Sequence, residues 1–323
     1  MARTPGTDYR MDTRARMKRP SPHRGRSRMA KRWQYVKERC IESLLFLAAL
    51  SSVAITVGIV GVLVYESSTF FSHVSLWDFF TDTQWTPLFS DAHYGILPLV
   101  TGTLVTTAVA LLVALPIGTV VSIYLSEFAP SLVREFLKPA LELLTAVPTV
   151  VYGYFAFQFV APLLQHVIPG LPTFNMLSAG IVMGIMIIPS VTSLSEDALR
   201  AVPMSLRESS YALGANRTIT AWRVVYPAAL SGILASYTLA VSRAIGETMI
   251  VAIAAGMQPN FTLDPRQPAE TITAYIVQVS LGDLPHGSIG YQSIFAAGLT
   301  LFVMTFIFNV LSYWLRKRFR EAY

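Results

Sequence analysis

Pro203-Met-Ser-Leu-Arg-Glu208-Ser-Ser-Tyr-Ala-Leu-Gly214 lies at the centre of a polar island, Glu196 to Pro227, between two apolar spans. The Ser205-x-x-Glu208 spacing predicts a capping box, with the hydroxyl taking an amide at the helix start and the carboxylate reaching back. Gly214 stands where a left-handed C-terminal cap is wanted, so the stretch predicts roughly two helical turns isolated in a loop. Returning a chain through a membrane does not require such a helix. A surface for a soluble partner does, although a helix merely begun by Glu208 and ended by Gly214 would read the same way.

The surroundings of the island set the class. Apolar residues make up 53% of the 323 and charged ones 14%, too few charges for the surface of a water-soluble chain. Six apolar segments are read: 41–64, 95–125, 140–164, 177–194, 228–256 and 293–315. Most exceed the twenty or so residues that cross a hydrocarbon core of about 30 Å at about 1.5 Å per residue. Helices satisfy their own backbone groups in lipid, so the expected fold is an all-α membrane protein with six transmembrane helices.

Charge agrees with an even number of spans. Of 25 Lys and Arg, 13 precede Ile41, two separate the second and third segments, four lie in the island and four follow Leu315. The loops 65–94 and 162–176 carry none, and 257–292 carries only Arg266. This alternation predicts both termini and the island on the cytoplasmic side. Tyr313-Trp314 before Arg316-Lys-Arg318 predicts an interfacial anchor at the last span's cytoplasmic end.

The expected organisation is a basic, disordered cytoplasmic tail over 1–40 and a first helix with its outer loop over 41–94. A core of five transmembrane helices follows over 95–315, including the loop 196–227, and then a basic C-terminus over 316–323. The long charged region argues against a cleavable signal peptide. Cys40 is alone, so neither a disulfide nor a thiolate metal cluster is expected. The five histidines share no ligand-like spacing, and no phosphate-binding loop, nucleophile elbow or zinc-protease helix occurs. No catalytic residue, cofactor or metal site is therefore expected.

What remains is charge inside the bilayer: Arg243 and Glu247, in Val241-Ser-Arg243-Ala-Ile-Gly-Glu247-Thr-Met, near the middle of the fifth segment. An ionisable group at that depth costs about 2.5–3.5 kcal/mol, so both should face protein or water. A spacing of four predicts one helix face, where they can pair. Gly232, Ser236, Ala240 and Gly246 lie near the same stripe and permit close helix approach. Two readings stay open: an ion pair fixing helix register, or a step for an anion, with Arg243 as planar donor and Glu247 neutralising it between passages.

Two resemblances sharpen this. Glu208-Ser-Ser, Gly214 and, nine residues on, Val224-x-Tyr-Pro227 resemble the "EAA" loop of bacterial ABC importer permeases, with serines for the small alanines and Tyr226 for leucine. Arg243-Ala-Ile-Gly-Glu247-Thr-Met resembles the signature of the membrane subunits of the phosphate-specific ABC importer. So do Tyr94-Gly-Ile-Leu-Pro98, Leu125-Ser-Glu127-Phe-Ala-Pro130 and Val147-Pro148-Thr-Val-Val-Tyr152-Gly153. Their order is nearer the PstC type than its PstA partner.

The resemblance implies that the loop engages a separate ATPase through Ser205, Glu208, Ser209, Ser210 and Gly214. It also implies that Arg243 and Glu247 lie on the phosphate pathway. The implied partners are a PstA-like permease forming a heterodimer, two copies of a PstB-like ATPase, an external PstS-like phosphate-binding protein and membrane lipid, with no nucleic acid. The implied location is the bacterial inner membrane. Importers of sulfate, molybdate or phosphonate remain alternatives, and so, more distantly, does a secondary anion carrier or channel.

Within the spans, Pro116, Pro148 and Pro189 are expected to kink helices, Glu142 to sit at a helix start, and Gly180-x-x-x-Gly184 to mark a tight contact in the bundle.

Overall fold

In a computed structural model, residues 28–285 and 287–318 are described. Among them the chain is helical, with only isolated bridges, Trp85 to Tyr94 and Gly256 to Ala269, in place of strands. Among the described residues, five helices are long and apolar enough to cross a membrane, or six if one pair bent by 70° counts as a single span. The expected all-α six-span architecture therefore stands.

The chain divides into two units, residues 1–59 and 60–323. The first is described from Arg28 as the opening part of α1 (Arg28–Phe71). Its side chains from 33 to 59 are exposed, including Leu44, Phe46, Ile55 and Val57, as suits a helix whose solvent is lipid. The tail expected to be disordered through residue 40 is helical from Arg28. Arg, Met, Lys, Gln and Glu are good helix formers, and an apolar helix already begun extends at little cost. Residues 1–27 lie outside the described residues.

The second unit is organised around α3 (Leu97–Ile123) and α7 (Met176–Arg200), which pack along each other. Two glycines explain the closeness. A Cβ at Gly180 would meet Val109, and one at Gly184 would meet the Ala110 carbonyl and Val113, so this Gly-x-x-x-Gly does make its contact within the bundle. A core of small residues and methionines fills the seam, among them Ala110, Ala114, Ala179, Met183 and Met186.

Several span boundaries differ from the sequence reading. The third span runs over Thr149–Val167, from α5 (Thr149–Phe155) through a π-turn into α6 (Ala161–Val167). The start expected at Ala140 instead belongs to α4 (Ser131–Thr145), a separate amphipathic helix with no buried residue. Apolar and charged residues alternate there at helical spacing, and an apolar count alone merges it with the span that follows. Glu142 thus lies in the last turn of α4 rather than at a helix start, and Pro148 caps α5 from outside. Pro116 and Pro189 are inside α3 and α7, as expected.

The outer loop has a core of its own. It carries the short helix α2 (Leu76–Thr81), and Phe70, Phe79, Trp85 and Tyr94 meet edge-on, with Trp85 against Tyr275 at 5.0 Å between ring centroids. Gly95 lets the chain turn against Asp82, whose carbonyl a Cβ would overlap. His93 Nδ1 donates to the Asp82 carboxylate across 2.8 Å and closes the loop on itself.

Candidate functional site

The fifth span is not a single rod. After α8 (Met204–Ala212), α9 (Arg217–Thr220) and a π-turn, the chain enters α10 (Tyr226–Ala228) and bends by 70° before α11 (Leu230–Ile245). Pro227, without an amide hydrogen, accounts for a break at this point. Helix α11 then stops at Ile245, the chain unwinds through Gly246-Glu247-Thr248, and α12 (Met249–Ala254) begins.

This unwinding separates the two intramembrane charges. Arg243 occupies the last turn of α11, half-buried, and donates through Nη1 to the Ser190 hydroxyl at 2.8 Å. Glu247 is buried, and its carboxylate accepts from the amides of Met249 at 3.1 Å and Ile250 at 3.4 Å, capping α12. Its backbone carbonyl accepts from Thr273 Oγ1 at 2.8 Å. No ion pair joins Arg243 to Glu247 among the described residues, so the pairing read from their spacing is not formed. Spacing of four places side chains together only while the helix continues, and here it ends between them.

The consequence for Arg243 is chemical. A guanidinium has five N–H donors, and Ser190 takes one of them. Ser190 follows Pro189 inside α7 and also lines a cavity of about 250 Å³ that reaches Lys138 in the middle of α4 and Glu196 in the last turns of α7. Three members of the expected stripe pack inward: a Cβ at Gly232 would meet Ala198, Ser236 bonds Ser195 at 2.8 Å and Ala240 is buried, whereas Gly246 lies exposed just past the end of α11, where the helix has stopped.

Helix α8 bears out part of its reading. Gly214 adopts φ +83°, its amide donates to the Tyr211 carbonyl at 2.9 Å, and the Ala215 amide donates to Ser210 at 3.1 Å, forming the left-handed end. The capping box does not form. Pro203 takes the N-cap position with no side-chain bond, which leaves Ser205 within the first turn and Glu208 exposed without a cap to make. Ser205, Glu208, Ser209 and Gly214 are exposed together. Ser210 faces inward, bonded to Thr220 at 2.9 Å.

Sequence reasoning missed what holds this helix in place. Arg207 is buried, with Nη2 at 2.8 Å from Glu127 Oε1 and Nε at 3.4 Å from Oε2, and it also donates to the carbonyls of Val202 at 2.6 Å and Leu199 at 2.9 Å. Glu127 sits in the π-turn Tyr124–Phe128 that ends α3. In the sequence Glu127 stands out only as part of the Leu125–Pro130 motif, and a separation of 80 residues from Arg207 leaves no local signal of their pairing. Glu270 was also missed. Its side chain is buried beside Gly102 with one oxygen unpartnered, and burial pushes its carboxyl up to about 8.

No group of three or more His, Cys, Asp or Glu suited to a metal occurs among the described residues. A multi-span helical body with a charged break in one span and an anchored surface helix defines the permease class of membrane protein. The family described as "Binding-protein-dependent transport system inner membrane component" matches residues 114–321. The chain is 34% identical over 276 residues to the "Probable ABC transporter permease protein YqgH" of Bacillus subtilis (strain 168), covering 85% of this chain and 88% of that one. It is 33% identical to the "Phosphate transport system permease protein PstC" of Mesorhizobium japonicum, covering 74% and 78% respectively. The chain therefore belongs to the binding-protein-dependent transport system inner membrane component family and is PstC-like within it.

The fold is shared with the crystal structure of a bacterial ABC transporter involved in the import of the acidic polysaccharide alginate, at 14% identity and a TM-score of 0.63, covering 90% of this chain and all of that one.

Proposed function

We propose that this chain is the PstC-type permease subunit of an ATP-driven importer of inorganic phosphate, forming half of the translocation pathway. Its relatives named as phosphate permeases match most of its length, which supports the substrate class. The observation that carries the pathway assignment is Arg243: a half-buried guanidinium at a helix break, held by a single serine and not neutralised by Glu247.

A phosphate dianion needs several planar donors and an exit. Arg243 supplies the donors, and Ser190, bonded to it, lies on a cavity leading toward Lys138. Glu247 acts by holding the α12 amides and thereby the geometry of the break. The termini and α8 face the cytoplasm on this reading, following the distribution of Lys and Arg.

The driving step comes from outside the chain. A PstB-like ATPase docks on the exposed surface of α8 around Ser205, Glu208, Ser209 and Gly214, with Ser210 supporting from behind. ATP-driven movement of that helix passes through the Arg207–Glu127 pair to the end of α3, and α3 is packed along α7, which carries Ser190. A PstA-like permease completes the pathway, and a PstS-like protein delivers phosphate from outside.

The test is ATP-dependent phosphate uptake in vesicles holding the chain with its ATPase, second permease and binding protein. Arg243→Ala should assemble and hydrolyse ATP but move no phosphate. Normal uptake by that variant would remove Arg243 from the pathway, and uptake without an ATPase would overturn the whole reading.

A further inference from the structure

A second basic site lies apart from Arg243. Ser126 and Glu127 of the π-turn, Arg134 of α4, Arg200 at the end of α7, Met204, Arg207 and Tyr211 of α8, and Arg217 at the start of α9 line a cleft of about 310 Å³. Four guanidinium groups and one carboxylate meet there. Glu127 is occupied by Arg207. Behind the wall, buried Glu196 is shared among Arg200 at 3.4 Å, Lys138 at 3.2 Å and Arg134 at 3.8 Å, and Lys138 also has Asp197 at 3.1 Å. Arg217 has no ion-pair partner among the described residues and rests over the Phe128 ring at 5.4 Å. Even counting Glu196 and Asp197, the cluster of five cations and three anions keeps two positive charges uncompensated.

Like charges converging on one cavity repel unless an anion joins them, and guanidinium forks match phosphate oxygens in geometry. The surface needs no such convergence for topology alone, since cations spread along an interface serve that purpose equally. We infer that this cleft binds a phosphate-type oxyanion on the α8 face, supplied either as free inorganic phosphate or as the headgroup of an anionic lipid. Arg217 and Arg200 are its accessible ligands, and Arg134 and Arg207 form its floor. The site touches α8, so an occupied cleft stiffens the same helix that the ATPase is proposed to move. The inference rests on the reading above only for naming that face cytoplasmic and that helix the coupling element.

The experiment uses the complete complex of this chain with its second permease and ATPase in nanodiscs, without the external binding protein or ATP, in an Arg243→Ala background that removes the proposed pathway site. Discs of phosphatidylcholine alone are compared with discs containing phosphatidylglycerol, and the probes are radiolabelled inorganic phosphate and the retained lipid read by mass spectrometry. Arg217→Gln should weaken phosphate binding about tenfold or more in neutral discs if the source is free phosphate, as expected for loss of a charged hydrogen-bonding partner. If the source is lipid, phosphate does not bind, and Arg217→Gln loses the retained phosphatidylglycerol instead.

Arg200→Gln, whose side chain is half-exposed and tied only to Glu196, repeats the test should Arg217→Gln fail to assemble. Binding of neither probe, or binding unchanged in both variants, overturns the inference, as it would if the docked ATPase fills the cleft with its own acidic side chains. Uptake by the chain with an intact Arg243 is scored separately, so the transport reading and the cleft can fail independently.

Discussion

Arg207 of the surface helix grips Glu127 at the end of α3 across 80 residues of sequence, at 2.8 Å and with both side chains at 10% exposure or less. The pair is further tied down because the same guanidinium also donates to the carbonyls of Leu199, in the last turn of α7, and Val202, just beyond it. The helix that a soluble partner would meet is therefore not a free flap.

Removing one side of the pair leaves the other charged and enclosed, which costs about 3–5 kcal/mol where a buried pair is broken. Arg207→Ala is expected to lower the thermal stability of the purified protein and to lose ATPase co-purification. Arg207→Lys should restore the charge without the two-oxygen grip or both carbonyl bonds, giving an intermediate result. Wild-type stability and assembly in Arg207→Ala would show that the pair is not what holds α8.

Gly214 separates conformation from bulk. Nothing lies within 4 Å of a Cβ placed there, yet its φ is +83°. Asparagine tolerates this backbone region far better than a β-branched residue. Gly214→Asn should therefore keep ATP-dependent uptake near wild type, whereas Gly214→Val should unwind the end of α8 and abolish it. Equal activity in the two variants would mean that the helix end is not needed for coupling.

The contrast between α8 and the fifth span explains what was legible in the sequence. Gly214 could be read because one residue type answers one local backbone demand. The six-span architecture could be read because twenty apolar residues have few other homes. The capping box failed because Pro203, two residues upstream of Ser205, competes for the same helix start and wins on its fixed φ. The Arg243–Glu247 pairing failed because spacing presumes a continuous helix, and the unwinding after Ile245 is stabilised from elsewhere, by Thr273 on the Glu247 carbonyl. Glu270 and Arg207 were invisible for the same reason: their surroundings come from segments far away in the chain.

The outer loop should respond to pH through Asp82 and His93. Burial raises the Asp82 carboxyl, but the hydrogen bonds from His93 and Gln84 outweigh it and hold the group below its ordinary value. The Asp82 bond raises His93 above its ordinary value of about 6.5. The histidine's contribution is complete below about pH 6.5 and is lost as pH rises through its raised folded value. That of Asp82 is present above about pH 4 and is lost as pH falls through its depressed value. The loop is thus held most firmly between about pH 4 and 6.5. Hydrogen-exchange protection at 82–95, after correction for the intrinsic pH dependence of amide exchange, should be greatest there and fall above it, and Asp82→Asn should flatten the alkaline limb and lower the His93 titration.

Gly102 tests how tightly the pathway break is tied to its neighbours. A Cβ on this residue of α3 would overlap the Glu270 carbonyl and press on Ala269, and backbone cannot swing aside as a flexible side chain can. The displaced segment leads within three residues to Thr273, which holds the Glu247 carbonyl at the break. Gly102→Ala is therefore expected to destabilise the protein by about 1–3 kcal/mol, as overpacking does, and to lower phosphate uptake more than assembly. Gly58→Ala is the matched control: it lies inside a helix with nothing within 4 Å, so alanine should leave stability unchanged or slightly improved. Thermal unfolding in detergent compares the two directly. Equal midpoints would show that the Glu270 segment shifts freely, and the link from α3 through Thr273 to Glu247 would then have to be abandoned.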